Sequence, residues 1–278
     1  MKLSASIVRI LVASVAVFAL EIIGGMLFRV NLLVPPHVVP WKALATLLTV
    51  TALSLVAIRS EWRGWRLGLA VSSIPLAIAL VDLIEGRIFL KSLSLDWRAV
   101  GAQTLFVYVL AVPLWMVLYG RRTEPPPEHF HPIASRSRLD RLWRFLVSDV
   151  SYILLYFIAG MIIFPLVKSF YDKLELPSIG TIVTLQLLVR GPVFVVICLL
   201  LVRMLGFSRG KGALMVGLVF TLLSGVAPLL VPNPVFPNHV RWVHFCEVSS
   251  SNFVFGAIVG WLWGAAKSAQ QITARPAA

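Results

Sequence analysis

Residues 241–263, RWVHFCEVSSSNFVFGAIVGWLW, decide how the chain is read. The stretch belongs to an apolar run, 240–263, that meets the length of about 20 residues a membrane-crossing helix needs. Its first half nevertheless carries Arg241, His244 and Glu247 at three-residue spacing, followed by three serines and Asn252. At roughly 100° per residue, Arg241, His244, Glu247, Val248 and Ser251 fall on one side of a helix. A charge at mid-bilayer costs about 2.5–3.5 kcal/mol on insertion scales, so such a side faces protein or a polar cavity rather than lipid. The stretch therefore calls for partner helices, and the fold class it predicts is all-α: a polytopic membrane helix bundle.

The rest of the chain supplies the partners. Of its 278 residues 59% are hydrophobic and 13% charged, and the mean hydropathy is +0.89. Soluble domains are about 45–50% apolar and about 25% charged. Seven further stretches read as spans: 7–28, 41–58, 65–83, 100–119, 150–167, 179–201 and 212–231. With the N-terminus inside, sixteen of the 25 lysines and arginines fall on the inner side and eight on the outer, with Arg190 left within a span. That bias predicts eight helices with both termini cytoplasmic, in the plasma (bacterial inner) membrane. The N-terminus resembles a signal peptide, but Glu21 interrupts its apolar run and no small-residue cleavage site follows, so it reads as a retained first helix. The net charge of +13 is scattered over short segments between spans. It sets topology and forms no compact basic domain for nucleic acid. Cys198 and Cys246 both lie in spans, which argues against a disulfide framework.

Three parts are expected: a first four-helix half (1–120), a connecting segment (121–149) and a second four-helix half with a short tail (150–278). The connector opens with the Pro-rich TEPPPEHFHP, a stiff solvated linker. It closes with SRLDRLWRFLVS, where Leu139, Leu142, Trp143 and Leu146 recur at helical spacing among arginines. That pattern predicts an amphipathic helix lying on the cytoplasmic lipid surface. The two halves have equal helix numbers, but no residues align between them as a repeat.

The candidate site is a polar cluster in the extracytoplasmic half of the bilayer. Glu247 and Glu21 each lie ~10 Å below the outer ends of their spans, and Arg190 lies ~16 Å down. Asp82 sits at the outer end of the third span. The expected members are Glu21, Arg190, His244 and Glu247, with Arg241 nearer the surface and Ser251 and Asn252 as neutral partners. One reading makes this a binding or proton-carrying site. The other makes Arg190 a pin that holds three helices by pairing with Glu21 and Glu247. His244 and Glu247 at i, i+3 can share a metal, but no second histidine stands in a matching span, so no metal is expected. His244 and Glu247 can also pass a proton. Ser251 lies two turns from His244, too far for a Ser–His nucleophile.

Two Pro-rich loops, NLLVPPHVVPW and VPNPVFPNHVRW, flank the spans carrying Glu21 and Glu247. They read either as a lid over the cluster or as interfacial anchors ending in Trp41 and Trp242. Gly256, Gly260 and Gly264 form a four-residue repeat that admits another helix backbone, from this chain or from a membrane-protein partner. Pro75, Pro113, Pro165, Pro192 and Pro228 mark kinks. No P-loop, CxxC or haem motif is present, and no cofactor is assigned. The leading expectation is a small carrier or binding protein for a small or lipidic solute. The alternatives are an accessory membrane protein without its own chemistry and an intramembrane enzyme acting on a lipid-linked substrate.

Overall fold

The computed structural model describes residues 3–30, 35–90, 96–120, 133, 136–233 and 235–265. They form eight helices long and apolar enough to cross a membrane: α1 (Leu3–Leu27), α2 (Val39–Arg59), α3 (Gly64–Phe89), α4 (Trp97–Tyr119), α5 (Arg138–Tyr171), α6 (Ile179–Leu205), α7 (Arg209–Leu230) and α8 (Asn238–Trp263). The end of the bundle at which α1 starts is termed proximal and the other end distal. Proximal ends are tied by Gly64 N–H to the Gly120 carbonyl (3.4 Å) and Arg209 N–H to the Ala265 carbonyl (3.0 Å).

Helix α5 differs from the sequence expectation. The amphipathic stretch and the fifth span are one helix of 34 residues, not a surface helix followed by a separate span. No glycine or proline stands between 138 and 159 to break it. Ser137 caps the start by accepting from Asp140 N–H at 3.1 Å. At ~1.5 Å per residue the helix is ~51 Å long, well beyond a hydrocarbon core of ~30 Å. Its first turns serve the bundle: Arg144 donates to the Leu262 carbonyl (2.6 Å) and Arg136 to the Gly264 carbonyl (3.3 Å). Two arginines thus satisfy the last carbonyls of α8, where the helix dipole also favours positive charge. Asp140 holds both arginines in place, at 3.1 and 2.9 Å. The Leu139, Leu142 and Leu146 stripe faces outward, unpacked. Apart from 133 and 136–149, the connector lies outside the described residues, as does the tail beyond 265.

Helices α6 and α7 share a device. Each contains a five-residue π-turn, Gln186–Arg190 and Leu222–Val226, followed two residues later by a proline, Pro192 and Pro228. Proline brings no N–H to the helix ladder, and the wider turn absorbs the mismatch. The kinks expected at these prolines therefore take the form of widened turns.

Helices α7 and α8 are in backbone contact. A Cβ on Gly256 would lie 2.9 Å from Gly217 Cα, and one on Gly260 would lie 2.8 Å from Ala213 Cα. A Cβ on Gly264 would lie 2.8 Å from Arg209 Cα. The glycine face of α8 thus packs within this chain, and side chains of α7 and α8 bond across it. Asn252 donates to Ser224 Oγ (2.9 Å), and Thr221 donates to the Ser249 carbonyl (2.6 Å). One buried apolar core draws on all eight helices. At its middle, Tyr152, Phe194, Phe220 and Phe255, one from each of α5 to α8, close a circuit of edge-to-face rings 5.0–5.5 Å apart.

Candidate functional site

A cavity of about 360 Å³ opens on the distal side of this ring circuit, with Tyr152 belonging to both. Much of its wall is apolar, including Phe89, Leu90, Trp97, Leu155 and Leu229. Five helices bring ionisable or polar groups to it, and one loop adds Val235 and Phe236.

Helix α3 contributes Asp82 and Glu85, one turn apart on one face. Helix α6 contributes Arg190 from the last position of its π-turn. The guanidinium reaches across to α3: one terminal nitrogen donates to Glu85 Oε2 and the other to Asp82 Oδ1 at 3.1 Å. Gln186, at the first position of the same π-turn, donates to Glu85 Oε1 at 3.0 Å. The Arg190 guanidinium also lies 5.1 Å from the Phe194 ring centre. The widened turn thus presents two polar side chains to one carboxylate from a single stretch of helix.

Helix α8 contributes His244, Glu247, Ser251 and Asn252. His244 Nδ1 lies 2.6 Å from Glu247 Oε2, and His244 Nε2 lies 2.8 Å from the Tyr171 hydroxyl at the end of α5. Both members of the His–Glu pair are largely buried, at 12% and 11% side-chain exposure. The loop between α7 and α8 lays Phe236 against the imidazole, ring centres 5.3 Å apart, with Asn233 Oδ1 accepting from Phe236 N–H to hold the turn. Phe236 and Val235 line this cavity and also a wider groove of about 780 Å³ at the distal end. The second Pro-rich loop therefore contributes to the wall of the cavity. The first presents His37 and Trp41 to the groove instead, and residues 31–34 lie outside the described residues.

Of the residues named from sequence, Arg190, His244, Glu247, Ser251 and Asn252 line one cavity. Glu21 stands elsewhere: it pairs with Lys42 (3.7 Å), accepts from Thr46 (3.2 Å) and has its main-chain carbonyl bound by Gln103. Its partner is a lysine one helix away, not Arg190. Arg241 is buried at the rim of the groove, donating to the Leu229 and Leu230 carbonyls at 2.8 and 3.0 Å and stacking on Trp242. It closes the C-terminal end of α7. Ser250 and Ser251 donate their hydroxyls to carbonyls of their own helix.

Glu85, Gln186, Tyr152, Tyr156 and Tyr171 were not named from sequence. The sequence carries a signal for Glu85: with Asp82 it forms an i, i+3 carboxylate pair, just past the end of the 65–83 apolar run. The helix runs on to Phe89.

The charge balance follows directly. The cavity holds three carboxylates (Asp82, Glu85, Glu247) against one guanidinium, with His244 as the remaining ionisable base. Arg190 is spent on two carboxylates of its own chain, so the surplus is negative. Among the described residues no three His, Cys, Asp or Glu side chains gather to hold a metal ion. Comparison with protein-family models, with curated proteins and with solved structures finds no match for this chain.

Proposed function

We propose that this chain is a multi-pass carrier or binding protein of the bacterial inner membrane. Both termini are cytoplasmic, the distal end is extracytoplasmic, and the cavity takes a small solute with a basic head and an apolar body. The observation that carries the reading is the surplus of carboxylates around a single cavity with apolar walls. Buried charge without a counter-charge is costly, and a cationic ligand or a proton offsets it. The apolar walls suit the remainder of such a solute. Arg190 is neutralised from within.

The test uses phenethylamine and its permanently charged trimethylammonium analogue as probes, with benzoate as the anionic control. A ligand bound only by the folded protein raises its thermal midpoint. Both cations are expected to raise the midpoint of the wild type, benzoate to leave it unchanged, and Glu247→Gln to remove most of the gain. A benzoate shift equal to the cationic shifts sinks the proposal. A second reading is favoured by one observation, the Tyr171–His244–Glu247 row, which can serve as an acid–base pair on a lipid-linked substrate. Lipid turnover that disappears in His244→Ala would favour it over a carrier.

A further inference from the structure

We infer that Tyr171, His244 and Glu247 form a proton relay that loads the cavity from the distal surface. The inference rests on the carrier reading and deepens it by naming the proton as the coupled ion.

The geometry is a continuous row. The Tyr171 hydroxyl lies 2.8 Å from His244 Nε2, and His244 Nδ1 lies 2.6 Å from Glu247 Oε2. Both contacts have hydrogen-bond length. Tyr171 is the last residue of α5, half-buried and within a turn of the exposed Lys168–Asp172 pair, so its end of the row is the one nearer the surface. Glu247, at the other end, lines the cavity and is largely buried. Phe236 packs over the imidazole and screens His244 from the groove above. Tyr171 is therefore the polar contact of the His–Glu pair toward the distal end.

The step balances as follows. In the starting state His244 is neutral, carries its proton on Nδ1 and donates it to the Glu247 carboxylate, while the Tyr171 hydroxyl donates to Nε2. A hydronium ion in the distal water gives a proton to the Tyr171 oxygen and leaves as water, the tyrosine passes its own proton to His244 Nε2, and the Nδ1 proton moves to Glu247 Oε2. Tyrosine and histidine end neutral, Glu247 ends as a carboxylic acid, and one proton has been taken from the distal water. Only O–H and N–H bonds are exchanged. Histidine suits the middle position because its two nitrogens can donate and accept at the same time.

The ionisable groups that share the cavity with His244 are Tyr152 and Tyr156 from α5, Arg190 from α6, Asp82 and Glu85 from α3, and Glu247 from its own helix; α7 brings only Ser224 among polar side chains. Arg190 is engaged by Asp82 and Glu85, which leaves Glu247 as the carboxylate bonded to the histidine.

The experiment is time-resolved infrared spectroscopy of the full chain in lipid nanodiscs after an acid jump. The protonated-carboxyl band of Glu247 is identified by its loss in Glu247→Gln. Tyr171→Phe and His244→Gln are each expected to slow the rise of this band by about tenfold or more, as loss of a positioned proton donor does. Tyr171→Phe is expected to leave the final amplitude unchanged, which a merely structural role would not predict. Wild-type rates in both variants overturn the relay, as does a Glu247 band that never responds to pH. The phenethylamine thermal shift is read on the same samples. Its survival beside unchanged rates sinks the relay and spares the carrier reading. Its absence beside slowed rates does the reverse.

Discussion

Arg190 is the residue on which most of the site's electrostatics turns. It is 8% exposed and bonds Asp82 and Glu85 across two helices. Replacing a buried ion pair with apolar groups can be neutral, but removing one partner strands the other. Arg190→Gln therefore strands two carboxylates at once. It is expected to cost about 3–5 kcal/mol, read as a large fall in thermal midpoint in nanodiscs. Restoring neutrality with Asp82→Asn and Glu85→Gln in the same chain should recover most of the loss. Asp149 presents the opposite case. It is 5% exposed, sits against Gly191 at the end of the π-turn, and its Oδ1 has no hydrogen-bond partner. Asp149→Asn keeps the shape and removes the potential charge, so it is expected to hold or raise the midpoint, by up to about 1–3 kcal/mol. A fall of that size would reveal an ionic role for the carboxylate. Sequence reading could place Arg190, His244 and Glu247 at compatible depths because rise per residue is fixed. It could not tell which way Glu21 faces, since Lys42 and Thr46 compete for it from α2 and only packing decides between them.

At the scale of helices, the contrast lies between glycines that are crowded and glycines that are not. Gly260 lies where a side chain would run into the backbone of α7 at Ala213, whereas Gly160 in α5 has open space around it. Gly260→Val is therefore expected to cost about 1–3 kcal/mol by forcing the two helices apart. Gly160→Ala removes only backbone freedom and is expected to stabilise by about 0.5–1 kcal/mol. Thermal midpoints of the two variants check both signs, and a neutral Gly260→Val would mean that α7 and α8 are not locked together. Eight apolar helices were legible because the apolar runs are long and few charges interrupt them. The boundaries were less so. The apolar run of α3 ends at the first cluster of polar residues, and the amphipathic first turns of α5 hide its start. In both places the backbone continues as helix because hydrogen bonding along the chain does not depend on whether the side chains face lipid. The π-turns left only an indirect trace in the sequence, the prolines that follow them. A proline marks a fault in the ladder without saying whether the fault becomes a kink or a widened turn.

For the whole molecule the decisive quantity is which face of the membrane each end of the bundle meets. The cavity, Phe236, the Tyr171–His244–Glu247 row and the wider groove all gather toward the distal end. The proximal end carries Arg136, Arg144 and Arg209 at the close of α8. The sequence segments that join the spans on the side where α1 begins carry Lys and Arg in two-to-one excess, which predicts that this side is cytoplasmic. Lys173 and Lys211 are exposed at opposite ends of the bundle, in the turn after α5 and the first turn of α7. In a Cys246→Ser background, Lys173→Cys is expected to react with a membrane-impermeant maleimide on sealed cells, and Lys211→Cys only after permeabilisation. The reverse pattern would place the cavity mouth in the cytoplasm, and the relay would then deliver protons outward from the cell interior rather than inward. The charge surplus around the cavity would be unaltered, because it is a property of the bundle. Only the direction of the gradient acting on Glu247 would change, and with it whether a basic solute is driven in or out.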